Sequence, residues 1–196
     1  MIPVRAVLER NIKNVAEECE ELIMVQPEKV KEEAKKREDE NYKFRTYLKC
    51  HADEMVLDGQ FLALHRELFE EYDCSKCRNC CKQYHGSIPA EDVERDAEYL
   101  NMTRKQFADL FLKEDEYGIS YETKHKPCDF LMDDGSCRLG DCKPDSCKKY
   151  PYTDQPERLE SLLSFLDIVE ICPVAFEICE RLKKEYTFCT SRFRRK

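Results

Sequence analysis

Cys74-Ser75-Lys76-Cys77-Arg78-Asn79-Cys80-Cys81 places four sulfurs within eight positions. Two-residue spacing lets one tight turn direct two sulfurs at the same ion, the common local device of zinc and iron–sulfur sites. Four inert buried thiols would need no such spacing. Downstream lie Cys128, Cys137, Cys142 and Cys147, and then Cys172. Residues 113–156 around them are rich in Gly, Pro, Asp and Cys and carry no regular apolar pattern. Such a segment does not fold by apolar burial alone, whereas metal binding can supply folding free energy.

Basic residues accompany the sulfurs: Lys76, Arg78, Lys82, Arg138, Lys143, Lys148 and Lys149. Thiolates around zinc or an iron cluster leave net negative charge, which nearby cations offset. Asp73, Asp129, Asp141 and Asp145 dilute that effect. The chain holds 13 cysteines, an odd number that suits complete disulfide pairing poorly. In a reducing compartment, metal ligation or redox chemistry is the better account of them.

Residues 1–10 contain no apolar run of the ~7–15 residues that a secretory signal needs. No stretch approaches the ~20 apolar residues of a membrane span. The sequence therefore reads as soluble and cytoplasmic, with no membrane partner. A formal net charge of −8 argues against a general nucleic-acid binder. The basic end, Arg192, Arg194, Arg195 and Lys196, reads as a solvated tail. The five glycines are too dispersed for a phosphate-cradling loop.

The expected fold is mainly α: a helical bundle with an irregular, loop-rich, metal-organised cysteine region. Three parts are expected: an N-terminal helical region (1–72), a cysteine-cluster metal-binding domain (73–186) and the basic tail (187–196). Residues 4–24 show helical apolar spacing, and Pro27 suits the first turn of a following helix. Residues 28–40, nearly all Lys and Glu, read as a solvated helix surface or a joint. One long helix is predicted over 41–72, with Phe44, Leu48, Met55, Leu62 and Phe69 on its apolar stripe. Residues 73–88 read as irregular. Pro89 is expected to open a helix to about Leu100, with Val93 and Ala97 inward. Thr103 and Gln106 form a capping box for a helix that turns Phe107, Leu110 and Phe111 inward. A short hairpin is expected near Asp134 and Gly135. Helices over 157–170 and 173–186 break at Cys172-Pro173.

The chain resembles the CxxCxxCC, or YkgJ-like, family of zinc- or iron-chelating proteins. Cys74 to Cys81 match its defining cluster. Its second hallmark, roughly C-P-F-L, G-x-C-x-I-Y and R-P-x-x-C-R-x-Y-P, appears as Cys128-Asp129-Phe130-Leu131, Gly135-Ser136-Cys137-Arg138-Leu139-Gly140 and Lys143-Pro144-Asp145-Ser146-Cys147-Lys148-Lys149-Tyr150-Pro151. Cys172-Pro173 matches the late cysteine, and Asp92 and residues 103–112 are similar to the family's helical link. The resemblance covers about residues 72–186. It implies eight ligands: Cys74, Cys77, Cys80, Cys81, Cys128, Cys137, Cys147 and Cys172. The departures are Asp129 for proline, Leu139-Gly140 for Ile-Tyr, lysines for both arginines, and the extra Cys142, which could replace or supplement a ligand. Flagellin lysine N-methylases carry a similar cluster, so the resemblance also admits a modification enzyme.

Eight thiolates could make two four-cysteine sites. The sulfur-only set favours one or two 4Fe-4S clusters, with zinc as the alternative. Cys74, Cys77 and Cys80 followed by a remote Cys172-Pro173 look ferredoxin-like, although Tyr84 stands where the compact ferredoxin run has its fourth cysteine. Tyr84 also breaks the C-x3-C-x2-C spacing of radical-SAM enzymes. His51, Glu54, Asp58 and His65 share one stripe of the predicted long helix, either as a metal or proton-transfer site or as a hydrogen-bonded polar seam. His85 and His125 are loop histidines near the cysteines. Cys19, Cys50, Cys179 and Cys189 lie in helical patterns and read as small buried hydrophobes. Three functions compete: an iron–sulfur protein for redox or electron transfer with a protein partner, a cluster-dependent enzyme modifying a peptide or small molecule, and a zinc-stapled interaction module.

Overall fold

After the predicted break at Cys172-Pro173, Pro173 opens a thirteen-residue helix from its first turn, where its missing N–H costs no helical bond. The computed structural model containing this helix describes residues 24–114 and 120–189. Most of the expected helix over residues 4–24, Cys19 and the end of the basic tail lie outside the described residues. Helices dominate, and the mainly α expectation holds. No helix among the described residues is long and apolar enough to cross a membrane.

The chain runs through α1 (Val30–Lys36), α2 (Glu38–His51) and α3 (Glu54–Glu71). The single helix expected over 41–72 is corrected: Ala52 and Asp53 are extended and divide it. Asp53 caps the second half, its carboxylate accepting the Val56 N–H at 3.1 Å. The cap satisfies one of the N–H groups that a helix start leaves without a partner. The break also re-phases the apolar stripe. Phe44 and Leu48 are buried, but Met55 is 84% exposed, and Leu57, Phe61 and Leu68 face inward instead.

The cysteine run forms α4 (Cys74–Cys77) and α5 (Asn79–Gln83). Pro89 ends strand β1 (Ser87–Pro89) rather than opening a helix; α6 (Asp92–Tyr99) starts later and buries Val93 and Ala97 as expected. The predicted capping box of α7 (Arg104–Phe111) is present. Phe107 is buried, whereas Leu110, expected inward, is 54% exposed. α7 packs on α6 and β2, and Leu110 falls outside that covered face. Strands β2 (Leu112–Glu114) and β3 (Ser120–Thr123) complete an antiparallel sheet of order β1-β3-β2, pairing Ile88 with Tyr121 and Lys113 with Glu122. Strands this short carry too little alternation to be seen in the sequence.

The hairpin expected near Gly135 exists as one antiparallel bridge, Leu131 to Cys137, with Gly135 at φ +81° in its turn. One 3-10 turn (Gly140–Cys142) and α8 (Asp145–Lys149) follow, then α9 (Arg158–Val169) and α10 (Pro173–Glu185). Two cores result. The larger joins α1, α2, α3, α9 and α10 through residues such as Phe44, Phe61, Phe165, Ile178 and Leu182. The smaller holds Ile88, Val93, Phe107, Phe130 and Leu139. Cys172 belongs to the larger core, while Cys128, Cys137 and Cys142 pack against the smaller. The cysteines thus lie along the seam between them.

Candidate metal centre

Asp73 starts the cysteine run by accepting the Ser75 N–H at 2.8 Å, which fixes the turn that carries Cys74 and Cys77. Arg78, at φ 50°, then bends the chain between α4 and α5. Asn79 is buried, and its amide donates to the Pro27 carbonyl at 3.1 Å and the Ile171 carbonyl at 2.6 Å. The second bond ties the run to the segment that ends in Cys172. The Cys128 N–H donates to the Cys81 carbonyl at 2.8 Å, which brings in the distant loop. The Ser146 hydroxyl donates to the Ser87 carbonyl at 2.7 Å and sets α8, and with it Cys147, beside β1.

These ties divide the eight thiols into two adjoining sets. A cavity of about 450 Å³ is lined by Cys74, Cys77, Cys80, Cys147 and Cys172. A second, of about 40 Å³, is lined by Cys81, Cys128, Cys137 and Cys147. A third, also about 40 Å³, joins them along Cys80, Cys81, Cys128 and Cys147. The thiols feel one another in the same grouping: Cys172 is influenced by Cys74 and Cys77, and Cys128 by Cys81, Cys147 and Cys137. The two sets touch at Cys80 and Cys81, adjacent in the chain and hydrogen-bonded to each other. These eight residues, and Cys142, are thiols and not cystines. Among the described residues, no three His, Cys, Asp or Glu side chains close to the spacing of one bare ion.

Burial pushes the Cys128 thiol up to about 11 and Cys172 up to about 12. Burial raises Cys74, Cys137 and Cys147 as well. Cys81 moves the other way, because it accepts the Cys80 hydrogen bond and lies near Lys143 and Arg78. A raised pKa means the proton is held more firmly; a metal cation bound in its place would hold each sulfur as thiolate and offset the cost of burying that charge.

Two hydroxyls test the fit of such a group. Tyr72 and Tyr150 both line the larger cavity. Their hydroxyl oxygens are buried with no nitrogen or oxygen partner among the described residues. The Tyr72 hydroxyl lies beside the Cys77 thiol, and Tyr150 is influenced by Cys172 and Cys80. Leaving a buried hydroxyl unmatched costs about 1–3 kcal/mol. Thiolate or sulfide acceptors in the cavity would match both. The donor set and these orphaned hydroxyls therefore fit a sulfur-rich metal centre.

Sequence reasoning missed Tyr72, and nothing in the motif around Tyr150 marks its hydroxyl. It also missed Gly86, where a β-carbon would stand 3.0 Å from the Cys147 sulfur. At Gly140, the Tyr99 hydroxyl occupies the space a β-carbon would need. Cys142 packs on the smaller core and lines none of the three cavities.

The four polar residues of the expected long helix lie in separate surroundings. His51 ends α2, exposed, with its ring 4.7 Å from that of Tyr47. Glu54 is exposed at the start of α3. Asp58 accepts backbone N–H groups of α9, and His65 Nδ1 lies 2.8 Å from the Thr153 hydroxyl. His65 alone of the four lines the larger cavity. His85 bonds the Thr123 carbonyl, and His125 meets Asp129. The buried-hydrophobe reading fits Cys179 but is corrected for Cys50 and Cys189, which are exposed. Cys50 falls on the outer face of α2, and Cys189 lies past the end of α10.

A family model, CxxCxxCC, described as "Putative zinc- or iron-chelating domain", matches residues 73–173. Comparison with curated proteins and with solved structures gives no match.

Proposed function

The chain belongs to the CxxCxxCC family of zinc- or iron-chelating domains, and from that premise we propose that it is an iron–sulfur protein with two four-thiolate centres, the larger a 4Fe-4S cluster used in electron transfer. Cys74, Cys77, Cys80 and Cys172 would hold the cluster. Cys81, Cys128, Cys137 and Cys147 would hold the second metal centre. When bound, the cluster supplies one-electron redox chemistry.

The observation that carries this reading is the contrast in size between two adjoining sulfur-lined cavities, about 450 and 40 Å³. Zinc–sulfur bonds of ~2.3 Å need four sulfurs drawn tightly around one ion, whereas a four-iron cube spreads its cysteines farther apart. The larger cavity suits the cube, and the compact one suits a smaller centre. The chain's own residues have defined parts. With a cluster bound, Tyr72 and Tyr150 would donate hydroxyl hydrogen bonds to its sulfurs, which would favour the reduced, more negative state. Phe69, Pro151, Ile171 and Pro173 give the larger cavity part of an apolar wall. A redox partner would approach its open side.

Iron, zinc and acid-labile sulfide in anaerobically purified full-length protein test the proposal. Iron and sulfide in equal amounts, with broad visible absorbance, are expected. Colourless protein with zinc alone would end the iron–sulfur reading.

A further inference from the structure

Lys143, like Cys147, lines all three cavities. It is half-buried, and among the described residues no carboxylate pairs with it. The neighbouring lysines differ: Lys148 and Lys149 are exposed and lean on Asp145 at 3.7 and 3.9 Å. Lys143 thus stands beside thiols of both sets: Cys74, Cys77, Cys80 and Cys172 around the larger cavity, and Cys81, Cys128, Cys137 and Cys147 around the compact one. Arg78 lines the two main cavities but is also influenced by Asp134 outside them. A half-buried ammonium without a counter-ion has an unmet electrostatic demand, and thiolate-bound metal centres on either side would meet it.

We propose that Lys143 is the shared counter-charge of the two metal centres, a single ammonium whose field falls on both, so that charge added to one is felt at the other. This rests on the two-centre reading above. It makes Lys143 a tuning residue and assigns it no ligand role. Through Lys143 and the Cys80–Cys81 peptide, reduction of the cluster would alter how firmly the second set holds its metal.

The test uses anaerobic full-length protein as wild type, Lys143→Gln and Lys143→Arg, after metal and sulfide analysis of each. Cluster midpoints are measured by dithionite titration with mediators. Metal release from the second set is followed with a chromophoric chelator. Lys143→Gln should disfavour reduction at least tenfold, about 59 mV for one electron, and should speed release from the second set. Lys143→Arg should restore both. A Gln variant that shifts one readout alone, or an Arg variant that behaves like Gln, would overturn the shared role and leave the two-centre reading standing. Wild-type protein with fewer than two centres would sink that reading and this one together. If Lys143→Gln does not fold, Lys143→Arg against Lys143→Met decides on the same terms.

Discussion

The Asp58 carboxylate accepts the backbone N–H of Arg158 at 2.8 Å, across 100 positions of sequence. Its other oxygen takes the Glu157 N–H at 2.9 Å. Glu157 precedes α9 at φ 62° and makes no side-chain cap of its own. Asp58 therefore caps α9 from α3, and a negative charge at a helix start is also favoured by the helix dipole. The Arg158 side chain completes the joint, donating to the Tyr152 carbonyl at 2.8 Å and lying over the Phe61 ring.

Asp58→Ala should therefore destabilise the fold by about 1 kcal/mol, the usual worth of a cap. For a chain of this size that lowers Tm by about 2–4 °C. Metal content should be unchanged. Thermal unfolding of metal-loaded wild type and variant checks this, and loss of iron without a fall in Tm would point instead to a role at the site.

Cys172→Ser should remove the metal of the larger set while α10 persists, since serine is itself a good N-cap residue. Cys142→Ser should keep both centres, because Cys142 packs on the smaller core away from the cavities. Metal analysis of the two variants, beside their helical circular dichroism, separates ligand from packing. Metal loss in Cys142→Ser would place Cys142 in a centre.

Gly86→Ala should weaken the second centre in particular. The added carbon would stand 3.0 Å from the Cys147 sulfur, which must then yield by a few tenths of an ångström. Misplacing one ligand of four lowers affinity, and a change of about tenfold is on the scale seen when a supporting group is lost. Chelator competition measures it; equal release from Gly86→Ala and wild type would rule out this close approach.

Burial lowers the His65 pKa below its ordinary 6.5, with Asp154 opposing. Between the lowered value and 6.5 the unfolded chain binds this proton more readily than the folded one, so stability rises with pH in that window. His65 therefore contributes fully above pH 6.5 and loses that contribution as pH falls. The pH dependence of Tm in wild type should be steeper below pH 6.5 than in His65→Gln. Parallel curves would contradict the burial of this ring.

Local signals were legible wherever one element depended on its own residues. The Thr103–Gln106 box, the turn at Gly135 and the stop at Cys172-Pro173 each rest on a few adjacent side chains. The long helix failed for the same reason. Periodicity alone runs through Asp53, where a capping carboxylate competes with helix continuation; beyond it Met55 turns outward and Leu57, Phe61 and Leu68 become the buried positions, while Phe69 still packs on the core. The sheet escaped because its strands are only three or four residues long and β1 finds its β3 partner more than thirty positions away.

The sequence by itself determined that the cysteine run and its loop-rich sequel belong together, because thiols spaced for one turn in a segment short of apolar pattern have few other uses. It also determined a mainly helical chain, since periodicity and caps are properties of neighbours. Only the tertiary structure decided which sulfurs line which cavity, that Tyr72 and Tyr150 join the lining of the larger one, and that Asp58 serves a helix end. Those facts depend on which distant backbones meet. That meeting is governed by the packing of two cores and by single bonds such as Asn79 to Ile171, which leave no mark in local spacing.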